Sequence, residues 1–170
     1  MTGTAARNAS AEGGGGHMRA ETLITHLIER GETVATAESL TAGLVCATLT
    51  EIPGSSAVFR GGLIVYATDL KATLAGVDEA LLAAHGAVHP EVAAQLAAGA
   101  RDRCGATWGL GLTGVAGPGG QDGVAPGTVH VGLAGPGVLT VRTLDLSGDR
   151  ASVRAGAVAG AFALLGEHLA

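Results

Sequence analysis

The chain has 170 residues, of which 47% are hydrophobic and only 2% aromatic, and its formal net charge is −5 at pH 7. This length suits one domain with a core of aliphatic side chains. The negative net charge argues against a protein that binds the phosphates of nucleic acid. No apolar run approaches the roughly 18 residues of a membrane span. We therefore expect neither nucleic acid nor membrane as a partner.

The first 18 residues are polar and end in a glycine run followed by His17 and Met18. Such a segment cannot bury enough apolar surface to fold alone, so we predict a flexible tail over 1–18 and one folded domain over 19–170. It also lacks the apolar stretch of a signal peptide. The two cysteines lie far apart without CxxC spacing and are typical of free thiols. Together these features favour a cytoplasmic protein.

Hydrophobic spacing predicts an alternation of helices and strands along the rest of the chain. In chain order we expect helix 20–30, strand 33–37, helix 41–51, a loop at 53–56, strand 62–67, helices 68–75, 79–85 and 90–104, strand 107–113, a loop to 127, strands 128–133 and 138–144 around a Gly-Pro-Gly turn, and helix 149–169. This order favours an α/β fold, a three-layer α/β/α sandwich with a mixed, mainly parallel sheet.

Ser39 stands where the first strand is expected to turn into the second helix. A serine there has its hydroxyl beside unpaired backbone N–H groups and the positive end of the helix dipole. Those groups can hold a carbonyl oxygen as it becomes an oxyanion, so the position suits a nucleophile. A serine at a helix start is more commonly a cap, and the local pattern alone favours that simpler role.

Lys71 is the only lysine of the chain and Tyr66 the only tyrosine, whereas the remaining cations are all arginine. Tyr66 is expected to end a strand and Lys71 to lie one turn into the next helix. Both would then lie at the end of the sheet, where open α/β folds place ligands. A desolvated lysine, unlike arginine, can lose its proton and deprotonate a serine. The alternative is a solvated helix lysine paired with Asp69 or Glu51.

A glycine-rich loop follows the strand that ends at Thr113 and runs through Gly120. Such loops let backbone N–H groups approach a phosphate or carboxylate closely, although a simple flexible connection is the alternative. Residues 109–114 spell GxGxxG, but they occupy a predicted strand rather than the turn after it, which argues against a Rossmann site. The Walker A lysine is also missing, so the loop is not a P-loop.

Six histidines raise the question of a metal site. His85 and His89 are four residues apart, but Gly86 and Pro90 put them across a helix end rather than on one helical face. We therefore expect no metal, and nothing else in the chain calls for a cofactor.

Several segments, taken together, resemble the CinA C-terminal domain family, whose founding activity is nicotinamide-nucleotide amidohydrolase. The matching segments are Ala37–Gly43, Pro53–Gly62, Tyr66 with Lys71, His85–Val88, Thr113–Gly120, Gly127–Val129 and Gly148–Arg150. They occur in the family's order and at family-like spacing, and they cover essentially everything from Arg19 onward.

The resemblance implies hydrolysis of the carboxamide of nicotinamide mononucleotide to nicotinate mononucleotide and ammonia, without a metal, by a Ser–Lys mechanism. It assigns the nucleophile to Ser39 and the base to Lys71, and Tyr66 would orient that base or relay its proton. The small-molecule partner would be a pyridine nucleotide, and we expect a homo-oligomer. Backbone N–H groups around Thr41, Ala42 and Gly43 would stabilise the oxyanion. The candidate ribose and phosphate contacts are Thr113, Gly114, Ala116, Gly117 and Arg150.

The chain departs from the family pattern at several points, one of which is His89, where the family often has a serine. The usual Cys-Thr-Gly-Gly after the serine is Leu40-Thr41-Ala42-Gly43 here, and the added Cβ of Ala42 is expected to reduce affinity. Residues 121–125 lack a lysine often found beyond the glycine loop. The chain has no room for the nucleotide-cleaving domain of the full CinA protein, so we expect the stand-alone form. These departures leave a second interpretation open, a catalytically weak nucleotide-binding or adaptor domain of the competence/damage-inducible CinA type.

Overall fold

The computed structural model describes residues 14–170, with side chains from Arg19 onward. Residues 1–13 of the predicted tail therefore lie outside the described residues, and the first helix begins at Gly14, inside that predicted tail. The elements in chain order are α1 Gly14–Arg30, β1 Val34–Glu38, α2 Leu44–Thr50, β2 Phe59–Ile64, α3 Thr68–Thr73, α4 Glu79–His85, α5 Pro90–Cys104, β3 Trp108–Gly114, β4 Thr128–Gly135, β5 Val138–Asp145 and α6 Arg150–Leu169.

Most elements lie where the sequence predicts them, and α4 and α5 have the predicted bounds. The largest strand difference concerns β2, which ends at Ile64 instead of running through Ala67. The strand ends early because the carbonyls of Val65 and Tyr66 turn away from the sheet and accept hydrogen bonds from Lys71. Helix α3 begins at Thr68, as predicted, and Ala67 is its capping residue.

The five strands form one sheet in the order β2–β1–β3–β4–β5. β1 pairs in parallel with β2 and β3, whereas β4 runs antiparallel to both of its neighbours, so the predicted mixed sheet is confirmed. Because four strands share one direction, the carboxyl ends of β1, β2, β3 and β5 meet at one edge. Open α/β sheets bind ligands at such an edge.

Helices cover both faces of the sheet, which confirms the three layers. On one face Trp108, Leu110 and Leu112 of β3 pack with α1, α2 and α6 in the larger apolar cluster. On the other face α5 packs with Ala35 and Ala37 of β1 in a second cluster. This alternation follows from the two-residue period of a strand. Among the helices of residues 14–170, none combines the length and the apolar character needed to cross a bilayer.

Glycines on the second face let α5 approach the sheet closely. A Cβ added to Gly111 would lie 2.5 Å from the carbonyl oxygen of Ala93 and would overlap the backbone nitrogen of Ala97. Gly109 and Gly132 face the same helix with equally little space. The GxGxxG string thus lies in β3, as predicted, and its first two glycines serve helix–sheet packing.

This close packing predicts that Gly111→Ala destabilises the fold. The new methyl group would meet backbone atoms that cannot rotate away, and overpacking of this kind costs about 1–3 kcal/mol. Urea unfolding would measure the loss. The matched control is Gly119→Ala, because a Cβ there meets nothing within 4 Å. A change within about 0.5 kcal/mol is expected for the control, and an equally mild effect at Gly111 would contradict the packing role.

Candidate active site

A cleft of about 350 Å³ opens at the carboxyl edge of the sheet. The turn after β1, the segment between β2 and α3, the loop after β3 and the first residue of α6 all contribute to its lining. The predicted site residues that line it are Ser39, Tyr66, Lys71, Thr113, Gly114, Ala116, Gly117 and Arg150. Thr41, Ala42 and Gly43 are not among the lining residues, so the structure brings most but not all of the predicted site together.

Lys71 is a buried lysine, only 1% exposed, whose amine meets three oxygen atoms. Its Nζ lies 3.0 Å from Ser39 Oγ, 2.8 Å from the carbonyl oxygen of Val65 and 3.1 Å from that of Tyr66. The two carbonyls can only accept hydrogen bonds, so they take two N–H groups. In the neutral amine, the remaining lone pair then faces the Ser39 hydroxyl and can accept its proton.

Burial lowers the pKa of Lys71 to about 8, from an ordinary value of 10.5. The physical cause is desolvation, which disfavours the charged amine. Its hydrogen-bond partners are a hydroxyl and two carbonyls rather than a carboxylate. The alternative of a solvated lysine on the helix surface is therefore contradicted, and the amine is suited to exchange protons near neutral pH.

Ser39 follows β1 directly, and its backbone N–H donates to the carbonyl of Leu112 at 3.1 Å. The helix that follows begins only at Leu44, and its capping residue is Gly43, with no side-chain cap. Ser39 is thus not the helix cap that the local pattern favoured. Its hydroxyl is free to face Lys71.

The role expected of a capping side chain belongs instead to Glu38, which sequence reasoning did not single out. Its carboxylate is fully buried and accepts from the backbone N–H groups of Gly43, Val45 and Cys46 at 2.9, 3.1 and 3.0 Å. These are the unpaired donors at the start of α2, where the helix dipole favours negative charge. Cys46 also donates its thiol to Glu38, and burial together with this carboxylate raises the pKa of that thiol to about 12.

The structure corrects the predicted oxyanion hole. The N–H of Gly43 donates to Glu38, and that of Ala42 donates to the carbonyl of Ser39 at 3.0 Å. Thr41 is fully buried, with 0% exposure. Leu40 lines the cleft, and its N–H makes no hydrogen bond within the part of the chain that the structure describes. The available donor is therefore the N–H of the residue directly after Ser39.

Tyr66 holds Lys71 through its backbone, whereas its side chain belongs to the rim of the cleft. The phenol oxygen lies 3.0 Å from Arg150 Nη2, and Nη1 of the same arginine donates to the carbonyl of Gly117 at 2.8 Å. The hydrogen bonds therefore support the orienting role predicted for Tyr66, by way of its carbonyl. They do not connect the phenol to Lys71, as a proton relay would require.

The glycine-rich loop is held by hydrogen bonds and is not a loose connection. Gln121 and Val124 pair in both directions at 3.0 and 2.8 Å, and Gly127 donates to Val115 at 2.8 Å. At the start of the loop, the buried Thr113 donates its hydroxyl to the carbonyl of Ala87 at 2.7 Å. This contact joins the start of the loop to the segment between α4 and α5, which also lines the cleft.

The histidine pair straddles a helix boundary, as predicted. His85 ends α4, and His89 precedes α5 and accepts from the N–H of Glu91 at 3.2 Å. The two rings stack at 4.5 Å. Among the side chains that the structure describes, those of residues 19–170, no group of three or more His, Cys, Asp or Glu is placed to hold a metal ion.

Fold and cleft together define a three-layer α/β/α domain with a buried serine–lysine pair at the carboxyl edge of its sheet. The family model of the CinA C-terminal domain matches residues 17–169, and the chain belongs to this family. A CinA-like protein of Frankia casuarinae is 49% identical over an aligned length of 170, and the match covers 98% of this chain and 39% of the relative. One of Myxococcus xanthus is 44% identical over 152 residues, 88% of this chain and 36% of the relative. The chain thus spans less than half the length of these relatives.

Solved structures of the family share the fold over almost their whole length. The competence/damage inducible protein CihA from Agrobacterium tumefaciens superposes with a TM-score of 0.88 at 34% identity, covering 94% of this chain and 98% of that one. A CinA superfamily protein from Klebsiella pneumoniae gives a TM-score of 0.87 at 32% identity, covering 91% and 97%. These matches confirm the family recognised in the sequence.

Ala42 adopts a left-handed backbone conformation, with φ of 46°. The departure from glycine therefore acts on the backbone, and not through a contact in the cleft as expected. An alanine in this conformation costs about 1–2 kcal/mol, of which glycine's greater freedom in the unfolded chain offsets about 0.4–1 kcal/mol. We predict that Ala42→Gly stabilises the protein by about 0.5–1 kcal/mol, measured by urea unfolding.

The matched control for this prediction is Ala83→Gly, at an exposed position inside α4. Glycine there should destabilise the protein by about 1 kcal/mol, because it lowers helix propensity. The same sign of effect at both positions would contradict strain at Ala42.

Proposed function

We propose that this domain hydrolyses the carboxamide of nicotinamide mononucleotide to nicotinate mononucleotide and ammonia. The observation that carries the proposal is the buried Lys71 amine, 3.0 Å from Ser39 Oγ and with two carbonyls as its other partners. This arrangement suits a general base that activates a serine. The family resemblance supplies the pyridine nucleotide as substrate.

In the first half of the reaction, Ser39 Oγ attacks the carboxamide carbon while its proton moves to Lys71 Nζ. The carbonyl oxygen becomes an oxyanion, and the N–H of Leu40 is the donor we assign to it. When the tetrahedral intermediate collapses, the C–N bond breaks and Lys71 returns the proton to the leaving nitrogen. Ammonia departs, and a nicotinoyl ester remains on Ser39.

In the second half, water takes the place of the serine hydroxyl. Lys71 removes a proton from the water, whose oxygen attacks the ester carbon. The bond between that carbon and Ser39 Oγ then breaks, and the proton on Lys71 returns to Oγ. The product is the carboxylic acid of nicotinate mononucleotide, which releases its proton to the solvent. The enzyme is free again, so one base serves both halves.

The cleft also offers a partner for the phosphate of the nucleotide. Arg150 and Lys71 are the two cationic residues that line it, and the mechanism uses Lys71 in its neutral form. We assign the phosphate to Arg150 and to the N–H groups of the glycine-rich loop. No observation on residues 14–170 favours the alternative of a nucleotide-binding or adaptor domain without turnover.

The experiment that tests this proposal is ammonia release from nicotinamide mononucleotide by the purified protein. Ser39→Ala should reduce kcat by at least about 10³-fold and leave stability nearly unchanged, because the hydroxyl caps no helix. Ser55→Ala is the matched control, since Ser55 is equally buried at 8% exposure but lies outside the cleft. Free nicotinamide should be a far poorer substrate. Retained activity in Ser39→Ala would contradict the mechanism, and equal rates on nicotinamide would contradict the phosphate assignment.

A further prediction concerns the proton on Lys71. Because only the neutral amine acts as base, kcat/KM should rise with pH through about 8, the pKa given by burial, with roughly a tenth of the maximal value at pH 7. Lys71→Met keeps the length of the side chain and removes the base, so kcat should fall by about 10²–10⁴-fold. A pH–rate profile without this limb, or a Lys71→Met enzyme within a few-fold of wild type, would contradict the role.

The same residue should also make stability depend on pH. The folded pKa lies below the ordinary value, so the unfolded chain binds the extra proton between about pH 8 and 10.5. Unfolding free energy should therefore rise with pH across this window in the wild type. Lys71→Met should lack that rise, which urea titrations at several pH values would measure.

A further inference from the structure

The turn that carries Ser39 is held from the far side of the sheet by an arginine of α6. Arg154 Nε donates to the carbonyl of Leu40 at 3.0 Å, and its Nη2 donates to the carbonyl of Thr41 at 3.1 Å. Arg154 is partly buried. Within residues 14–170 no carboxylate lies within ion-pair distance of it, so its charge is directed at these two carbonyls.

Arg154 and Lys71 act on opposite faces of the sheet. Ser39 continues the alternation of Ala35 and Ala37, whose side chains pack on the face covered by α5. The apolar residues of α6 belong to the cluster on the other face. Arg154 can therefore hold the main chain of the turn without occupying the space of the Ser39 hydroxyl or of the substrate.

The arginine fixes one of the two peptide groups that determine how Leu40 is oriented. The peptide between Ser39 and Leu40 is held because the Ser39 carbonyl accepts from Ala42 at 3.0 Å. The peptide between Leu40 and Thr41 is held by Arg154 through the Leu40 carbonyl. The Leu40 N–H lies in the first of these planes. By fixing the adjoining plane, Arg154 limits the remaining rotation about the bonds to Leu40 Cα, since peptide groups are planar.

We propose that Arg154 is a positioning residue for the oxyanion: it fixes the nucleophile turn so that the N–H of Leu40 meets the carbonyl oxygen of the substrate as that oxygen becomes negative. The inference rests on the proposed amidase function. Preorganised donors of this kind act only if they are held in place before the reaction, because reorienting them during the reaction costs energy.

The planar fork of arginine explains why this residue suits the position. Two N–H groups on one rigid guanidinium reach two successive carbonyls, whereas a lysine amine is a single point on a flexible stem.

The test compares the carboxamide substrate with its thioamide analogue in wild type, Arg154→Met and Arg154→Lys. Sulfur is a poor hydrogen-bond acceptor, so the thioamide draws less help from an oxyanion donor. For Arg154→Met we expect kcat on the carboxamide to fall about ten- to a hundredfold. This is less than the roughly 10²–10³-fold fall in kcat that follows removal of an oxyanion donor itself. KM should stay within about threefold, because Arg154 does not line the cleft. The ratio of carboxamide to thioamide kcat should fall about tenfold in Arg154→Met. In Arg154→Lys this ratio should lie between the values of wild type and Arg154→Met.

Two controls separate positioning from general damage to the fold. Arg142→Met also removes an arginine that contacts α6, through the exposed pair with Glu167, and it should leave both rates unchanged. The rise of kcat/KM with pH that we assign to Lys71 should occur at the same pH in Arg154→Met, because the Ser39–Lys71 contact lies on the other face of the sheet.

The outcomes distinguish this inference from the function on which it rests. An active wild type whose carboxamide-to-thioamide ratio is unchanged in Arg154→Met would overturn the positioning role, even if both rates fall together. If Arg154→Met does not fold, Arg154→Lys decides, and a ratio reduced by less than about twofold would overturn it. A wild type that releases no ammonia from the mononucleotide would contradict the proposed function, and the inference would fall with it.

Discussion

The buried amine of Lys71 is the constraint on which the rest of the site depends. A lysine with 1% exposure survives in the interior only if its N–H groups are satisfied or its charge is removed. Here two backbone carbonyls satisfy two N–H groups, and the serine hydroxyl is the third neighbour. The carbonyls come from the two residues that follow β2. The hydrogen bonds that end this strand are therefore the same ones that place the Lys71 amine.

A buried carboxylate holds the other end of the turn that carries Ser39, the proposed nucleophile. Glu38 accepts three backbone N–H groups at the start of α2, a task that a capping serine usually performs through one hydroxyl. Because a carboxylate can accept several hydrogen bonds at once, it satisfies these donors without help from Ser39. The serine hydroxyl is thereby left for Lys71. Dividing cap and nucleophile between adjacent residues lets both lie at one strand end.

The contrast between local and distant contacts explains what could be predicted from the sequence. The bounds of α5 follow from Pro90 at its start and Gly105, in the left-handed conformation, after its end. The serine–lysine pair was predictable because a single lysine and a family motif both pointed to it. Arg154 and Leu40 are 114 residues apart and meet only in the folded sheet. No local pattern marks such a contact. Nor could the sequence show that the N–H groups of Ala42 and Gly43 already donate within the turn.

Arg154 and Glu38 bind different backbone groups of the turn that carries Ser39. Arg154 binds carbonyls at its beginning, at Leu40 and Thr41, and Glu38 binds N–H groups from Gly43 onward. The chain reverses between these two sets, at Ala42, where φ is positive. Strain at that one residue is compatible with the fold because the groups on either side are fixed by charge-assisted hydrogen bonds. The Leu40 N–H lies outside both sets and Leu40 lines the cleft, which is why we propose it as the donor to the oxyanion.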